Sequence, residues 1–374
     1  MKKLNITSVL AKVETTSGTD AVPTGAANSI LLAGQPTLTP MELREEDREL
    51  IRSYLGQYEK LLGSITCRLD LPVEIAGAGV AGAAPAWGPL MRGCGASETL
   101  NATAVTGTGQ VGGGSNGIKL AAAASAVNDI YNGLPITITG GTGNGQSGVI
   151  VDYDGTTKIA TVAASTWITT DATSLYSIAP GAVYKPISTS EESLTLYAYL
   201  DGILHKFIGA KGNCKTTQEV NKRPLFNFSF TGIFAPVTDA AMPTNVFTGF
   251  QKPLLCNKDN TPFFGLFGAY GIGLEKFEFD TGNTIDFLDF INLADSLSLT
   301  QRASSGTISL EAVSIATKDW YSTVSGQVNG SLALTHGKTA GNRFTISGGN
   351  VSLADPAYGT KQNVRTHQMS TRFN

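Results

Sequence analysis

The sequence predicts a mainly β protein, a sandwich or barrel core that carries a smaller β-rich insertion, and three observations lead there. Charged residues make up only 15% of the 374 residues, against about 25% in an average soluble protein. Glycine (43 residues), threonine, serine and alanine fill the gap, a composition that suits strands and tight turns better than helices. Short runs in which apolar and polar residues alternate recur along the chain and are separated by turn dipeptides, the period-2 pattern of half-buried strands. Low charge also suits a chain whose surfaces are covered by copies of itself, because a free monomer normally carries a more charged skin.

The N-terminal Met1-Lys2-Lys3-Leu4-Asn5-Ile6-Thr7 has the charge of a signal peptide, but Asn5, Thr7 and Ser8 break its apolar run, so synthesis and folding in the cytoplasm are expected. No stretch approaches the ~18–20 apolar residues of a membrane helix, so no membrane insertion is expected. Glu45–Tyr58 places Ile51, Tyr54, Leu55 and Tyr58 at helical spacing, while its charges fit a long exposed hairpin or loop equally well. The run Glu42, Arg44, Glu45, Glu46, Asp47, Arg48, Glu49 and Arg52 reads as a solvated face or as a protruding segment that sets register against a neighbouring subunit. Pro85–Arg92, closed by Gly93 and Gly95, predicts a short helix with proline in its first turn and glycine past its end.

The composition breaks in the middle. No arginine occurs between Arg92 and Arg223 and no glutamate between Glu98 and Glu191. Such a shift marks a module inserted into another domain, and it divides the chain into a discontinuous core of residues 1–100 and 184–374 and an insert of residues 101–183. Within the insert, Gly107 to Gly117 reads as a flexible linker and Ala121–Tyr131 as a short helix ended by Asn132-Gly133. Ile136–Thr139, Val149–Val151 and Lys158–Val162 read as strands, the last two joined by a tight turn at Asp154-Gly155.

After the insert, Ser193–Leu200 and Ile203–Ile208 flank Asp201-Gly202 as a hairpin. Phe226, Phe228 and Phe230 alternate with polar residues, and the pairs Phe277/Phe279, Leu297/Leu299 and Ile308/Leu310 repeat the pattern. So many strands at turn-separated spacing predict a sandwich or barrel.

Motifs for chemistry are weak. GxGxxG occurs in letters at Gly77/Gly79/Gly82, Gly107/Gly109/Gly112, Gly112/Gly114/Gly117 and Gly143/Gly145/Gly148, without the strand before and long helix after that a dinucleotide site requires. Gly113–Gly117 fits GxSxG but comes with no positioned histidine among His205, His336 and His367; His205 reads as a sheet-surface residue. Asp152 and Asp154 start like a calcium loop whose later ligands are missing. The four cysteines, Cys67, Cys94, Cys214 and Cys256, form no CxxC pair and read as free thiols in a reducing compartment. A net charge of −3 argues against a basic field that grips nucleic acid. No catalytic, cofactor or metal residues are assigned, and no enzymatic activity is expected.

Three stretches taken together resemble bacteriophage tail-tube (major tail) proteins: Lys12–Gly25, Ile75–Gly79 with Ala84–Gly95, and Tyr184–Pro186 running through Ser193–Gly202 and Gly209–Gly212 to Phe226–Gly232. Thr339–Phe344 with Val351–Leu353 is also similar to that family. Tyr131–Gly133, Gly140–Gln146 and Tyr153–Gly155 resemble a module of other phage tail and fibre proteins. The resemblance implies a tail-tube-type β-sandwich or barrel core with a short flanking helix. It implies a homohexameric ring, and rings stacked into a tube that conducts genome DNA during ejection without sequence-specific binding. Expected partners are the chain itself, the tape-measure and tail-terminator proteins and the baseplate or distal tail proteins. The expected location is the virion, with assembly in the host bacterial cytoplasm. No cofactor follows from the resemblance, and Glu42 to Arg52 become candidate inter-ring contacts. A baseplate, fibre or capsid-decoration protein is the alternative, motivated by the fibre-like insert; a glycan hydrolase has only the β content and the strand aromatics behind it.

Overall fold

The computed structural model describes residues 3–374 and is mainly β. The chain opens with β1 (Thr7–Val13), the single turn α1 (Gly25–Asn28), β2 (Ser29–Ile30) and the long hairpin β3 (Thr37–Glu46) and β4 (Leu61–Glu74). The expected short helix follows as α2 (Gly88–Gly93), with proline in its first turn. It lies so close to the sheet that a Cβ at Gly93 would sit 2.5 Å from Leu194. Trp87, just before it, donates from Nε1 to the Ala76 carbonyl at 2.9 Å and meets Phe226 edge-on at 5.0 Å.

β5 (Ala96–Asn101) leads away from this core. The next strands, β6 (Val105–Thr108), β7 (Gly117–Lys119), β8 (Pro135–Gly140), β9 (Ser147–Asp154), β10 (Ile159–Ala163) and β11 (Leu175–Ile178), form a separate six-stranded sheet in the order β6-β11-β8-β9-β10-β7. It closes on its own core, with Ile118, Ile136, Ile138, Ile150, Tyr153 and Tyr176 buried. β12 (Gly181–Pro186) returns as the antiparallel partner of β5.

Three expectations for this region are corrected. Gly107–Gly117 is no linker: Gly107 pairs with Tyr176 in the β6–β11 ladder, and Gln110 bonds Lys119. A strand some seventy residues downstream supplies that ladder, which local composition does not reveal. Ala121–Tyr131 forms turns rather than a helix, because its backbone is tied across to β9, as where Asp129 N–H donates to the Tyr153 carbonyl. The β9–β10 turn does occur at Asp154-Gly155, but it spans four residues and the left-handed one is Lys158, at φ 62°. Asp154 organises the turn by accepting from Thr156 and Thr157.

β13 (Leu194–Leu200) and β14 (Ile203–Glu219) form the expected hairpin, Leu200 paired with Ile203 across Asp201-Gly202. β15 (Leu225–Phe234) follows, with Phe226, Phe228 and Phe230 all buried, and then the short β16 (Thr238–Asp239). The remainder comprises β17 (Phe263–Leu266), β18 (Ala269–Tyr270), β19 (Leu274–Asp280), β20 (Asn283–Leu288), β21 (Ser296–Arg302), β22 (Ser305–Glu311), α3 (Trp320–Ser325), β23 (Gly330–His336), β24 (Phe344–Lys361) and β25 (Val364–Phe373).

Outside the insert a 15-stranded sheet spans two large apolar cores, with the two-stranded β20–β21 sheet beside it and a smaller buried cluster at Leu10, Tyr197, Tyr199 and Leu204. The first core holds Leu69, Leu71, Leu90, Leu196, Phe228 and Phe230; the second holds Phe277, Ile308, Leu310, Trp320, Leu332 and Met369. Burying side chains of this size contributes about 1.5–3 kcal/mol each. The strand order over the first core is β2-β1-β13-β14-β15-β4-β3, and over the second it is β18-β17-β23-β24-β25-β22-β19. Taken in chain order, these two arrangements are the same topology. Each also has a short helix, with a buried tryptophan at or just before its first residue, inserted before the last three strands.

Candidate assembly surface

Three features of the surface demand a partner or a function. The first is a pair of projecting arms. In the longer one, Glu42, Arg44, Glu45 and Glu46 lie on β3, while Asp47, Arg48, Glu49 and Arg52 lie in the loop to β4. The helix over Glu45–Tyr58 does not form. Its apolar positions have no core to face, and Arg52 instead folds back over the rings of Tyr54 and Tyr58 at 4.4 and 4.2 Å and donates to the Gln57 carbonyl.

The arm's charges are largely spent on one another. Arg48 pairs with Glu59 at 3.2 Å, and Lys60 pairs with Glu45 at 3.5 Å and Asp47 at 3.2 Å. The hydrogen bond and charge of Asp47 raise the Lys60 pKa above its ordinary value. Arg44 reaches Asp289 at 3.8 Å and stacks over Phe287 at 4.9 Å, so the β20–β21 hairpin stands beside this arm. What the tips offer outward is apolar: Leu50, Ile51 and Leu55 on one, Phe290, Ile291 and Leu293 on the other, with Ile51 and Ile291 almost wholly in solvent. In the sequence, the charge run conceals Leu50, Ile51 and Leu55, and residues 290–293 pass for an ordinary hairpin loop.

The second feature is the side of the large sheet opposite the two cores. Register places Arg68 and Asp70 (β4), Asn227 and Ser229 (β15), Lys215 and Thr217 (β14), Glu278 and Asp280 (β19), Ser305 and Thr307 (β22) and Ser370 and Arg372 (β25) on this side. Alternation puts apolar side chains beneath and small polar or charged ones above. Three of the cations here are neutralised in place, Arg68 by Asp70 at 3.3 Å, Lys215 by Asp280 at 3.0 Å and Lys276 by Glu278 at 2.8 Å, while Arg372 lies exposed near the end of β25. The Lys276 hydrogen bond holds Glu278 below the usual carboxylate range. Burial pushes Asp280 upward, but bonds from Asn213, Gly282 and Lys215 outweigh it and lower the pKa.

The third feature is unpaired strand edge. Among the described residues, β3 pairs only with β4, and β23 pairs with β24 only from Phe344 to Val351. Such edges present rows of free N–H and C=O groups that template association.

The remaining sequence motifs fall into structural roles. Gly77 lies where a Cβ would run into the Gly341 carbonyl, a close approach of two loops. The GxSxG letters lie in a turn between β6 and β7, not in a strand-to-helix elbow. His336 is buried, with Nδ1 on the Thr261 hydroxyl and Nε2 on the Leu254 carbonyl. His205 lies on β14 and His367 on β25, between the rings of Tyr321 and Tyr358. All four cysteines are free and buried; desolvation pushes the Cys67 thiol up to about 12. Among the described residues there is no group of three or more His, Cys, Asp or Glu side chains able to hold a metal ion, and no helix is long and apolar enough to cross a membrane. Compared with protein-family models and with curated proteins, the chain matches none.

Lys12–Gly25, the first of the stretches behind the resemblance, holds a buried anchor. Glu14 accepts from Ser193 Oγ at 2.6 Å, Thr195 Oγ1 at 2.8 Å, and the N–H groups of Gly18 and Gly209 at 2.8 Å each. Asp20 takes the Tyr197 hydroxyl and Lys206. In the second and third stretches, Arg92 and Glu192 make a bidentate pair at 2.5 Å. These residues tie the N-terminal segment and α2 to the β13–β14 hairpin.

Proposed function

We propose that the chain is a structural virion protein that builds a phage tail tube: copies join into rings, rings stack, and genome DNA passes through the bore. The observation that carries this reading is the combination of open strand edges with solvent-exposed apolar arm tips on one chain. Both are costly in a lone molecule and are relieved by identical neighbours. The polar side of the sheet fits a bore. Most of its cations are already paired, so few are left to displace counterions from DNA phosphates, and each such contact would act as a brake on passage. The insert belongs on the outside, since a six-stranded sheet in a narrow bore would block it. Ring closure and stacking need no reaction chemistry and no cofactor.

Electron microscopy of the purified full chain tests the reading. Rings or tubes are expected, and the double variant Ile51→Asp/Leu55→Asp should melt like the parent yet stop at single rings. A chain that stays monomeric at high concentration, and is missing from virions, overturns it.

A further inference from the structure

The two sheet units repeat more than strand order. In the first, Phe207 pairs with Leu196 and Ala210 with Leu194, three residues advancing against two. In the second, Gly348 pairs with Leu332 and Val351 with Gly330, the same bulge at the same place. Beyond the bulge the units part. β13 has ended, and β14 runs on to take a new partner on that edge, pairing Lys215 with Asp280 through to Glu219 with Lys276 on β19. Along this stretch Cys214, Thr216 and Gln218 are buried. β24 also runs on past the end of β23, through Ala354–Lys361, but among the described residues no strand joins it on that edge; Tyr358 is 59% exposed.

The missing partner has a counterpart in the chain. β19 is the outermost strand of the second unit and holds its place beside β22; β3 is the outermost strand of the first and holds the equivalent place beside β4. One is docked and the other open. The residues that continue each strand into its arm tell the same story. At the tip end of the β20–β21 ladder, Phe287 and Leu297 are 9% and 4% exposed, whereas at the tip end of the β3–β4 ladder Leu61 and Leu62 are 53% and 60% exposed.

We infer that a second copy of this chain docks the outer edge of its β3 on the open half of β24, Ala354–Lys361, repeating between chains the joint that β19 makes with β14 within one. The contact is head to tail, so it propagates and closes into a ring when the rotation allows. Each chain then fills two successive, near-equivalent positions, and the ring carries twice as many sheet units and arms as chains. Where the resemblance implies six positions, three chains fill them. The inference rests on the self-assembly reading above and specifies its joint and its count.

Engineered cysteines test it, because the native thiols are all buried. Thr37→Cys or Thr39→Cys is combined in one chain with Ala357→Cys, Tyr358→Cys or Thr360→Cys, and the assembled protein is mildly oxidised. A ladder of covalent multimers from at least one combination, lost when either cysteine is omitted, is the expected result. Strands paired edge to edge bring Cα atoms within the roughly 4.4–6.8 Å that a disulfide spans. Native mass spectrometry of the rings, set against their rotational symmetry by microscopy, should count two units per chain. Rings that form but never cross-link in any combination, or that carry one unit per chain around the bore, overturn the inference while leaving the tube reading intact. Chains that form no rings overturn both.

Discussion

Strands β14 and β24 hold the same position in two units of the same topology, and only one of them is covered along its distal half. β14 beyond its bulge is buried under β19; β24 beyond its bulge is open. The comparison separates what a fold needs from what an assembly needs. The β19–β14 joint is interior and cooperative with both cores, so breaking it should unfold the chain. The open edge contributes nothing to the isolated chain, so breaking it should be silent until copies meet.

The largest effect is expected at the closed joint. Phe277 is fully buried, pairs with Gln218 on β14 and belongs to the second core. Phe277→Ala should cost about 3–5 kcal/mol, the range for phenylalanine removed from a packed core. Urea unfolding of the unassembled chain would check it, and a loss under about 1 kcal/mol would mean that the joint is loose.

The two bulges allow a further test of equal topology with unequal support. The first is locked by Glu14, which accepts the Gly209 N–H together with the Ser193 and Thr195 hydroxyls. At the second bulge Asn350 is exposed. Glu14→Ala strands several buried donors and should cost about 3 kcal/mol, since each unsatisfied group carries a penalty of about 1–3 kcal/mol. Asn350→Ala should stay within about 0.5 kcal/mol. Thermal melts of the two variants, side by side, give the contrast.

Much of the first unit was legible in the sequence and almost none of the duplication was. The Asp201-Gly202 hairpin, the alternating Phe226, Phe228 and Phe230, and α2 announce themselves through turn chemistry and period. The last three strands of the second unit occupy the same places with other residues. Met369 pairs with Ile308 on β25 where Phe228 pairs with Leu71 on β15, and His367 and Thr371 flank Met369. A topology can repeat with no shared letters, because any apolar or tolerated polar residue fills a strand's inward position. The longer arm is hidden for a related reason: Ile51, Tyr54, Leu55 and Tyr58 have helical spacing, but spacing makes a helix only where a core receives the apolar side. Strand edges cannot be read from one chain's letters at all, since pairing is non-local.

The charges across the closed joint give a smaller, pH-dependent effect. Glu278 is held below the ordinary carboxylate range first by Lys276, then by the Thr307 hydroxyl. Asp280 is lowered by Asn213, Gly282 and Lys215 against its burial. Lowered folded values mean that the contribution is complete above the unfolded carboxylate pKa and disappears as pH falls through the folded ones. As pH falls below about 4 the amides of β19 should therefore lose hydrogen-exchange protection. Glu278→Gln should flatten part of that slope at a cost within about 1 kcal/mol, as befits a largely solvated pair. A steeper slope in the variant would reverse the assignment.

The smallest effect on stability should accompany the largest effect on assembly. Tyr358 is largely exposed on the open half of β24, beside the rings of Tyr321 and His367 and the Arg365 guanidinium. Tyr358→Glu should change unfolding free energy by no more than about 0.5 kcal/mol, as exposed substitutions do. The new charge would face an incoming strand that brings its own acids, Glu42, Glu45 and Glu46, close behind the docking segment, and like charges at a strand pairing are destabilising. The variant should sediment as a folded monomer at concentrations where the parent forms rings, and Tyr358→Phe should restore the rings. Rings that form equally well with glutamate there would place the contact between copies elsewhere and leave the open half of β24 as a solvent edge, guarded by the break in its pairing with β25 at Asp355 and Pro356.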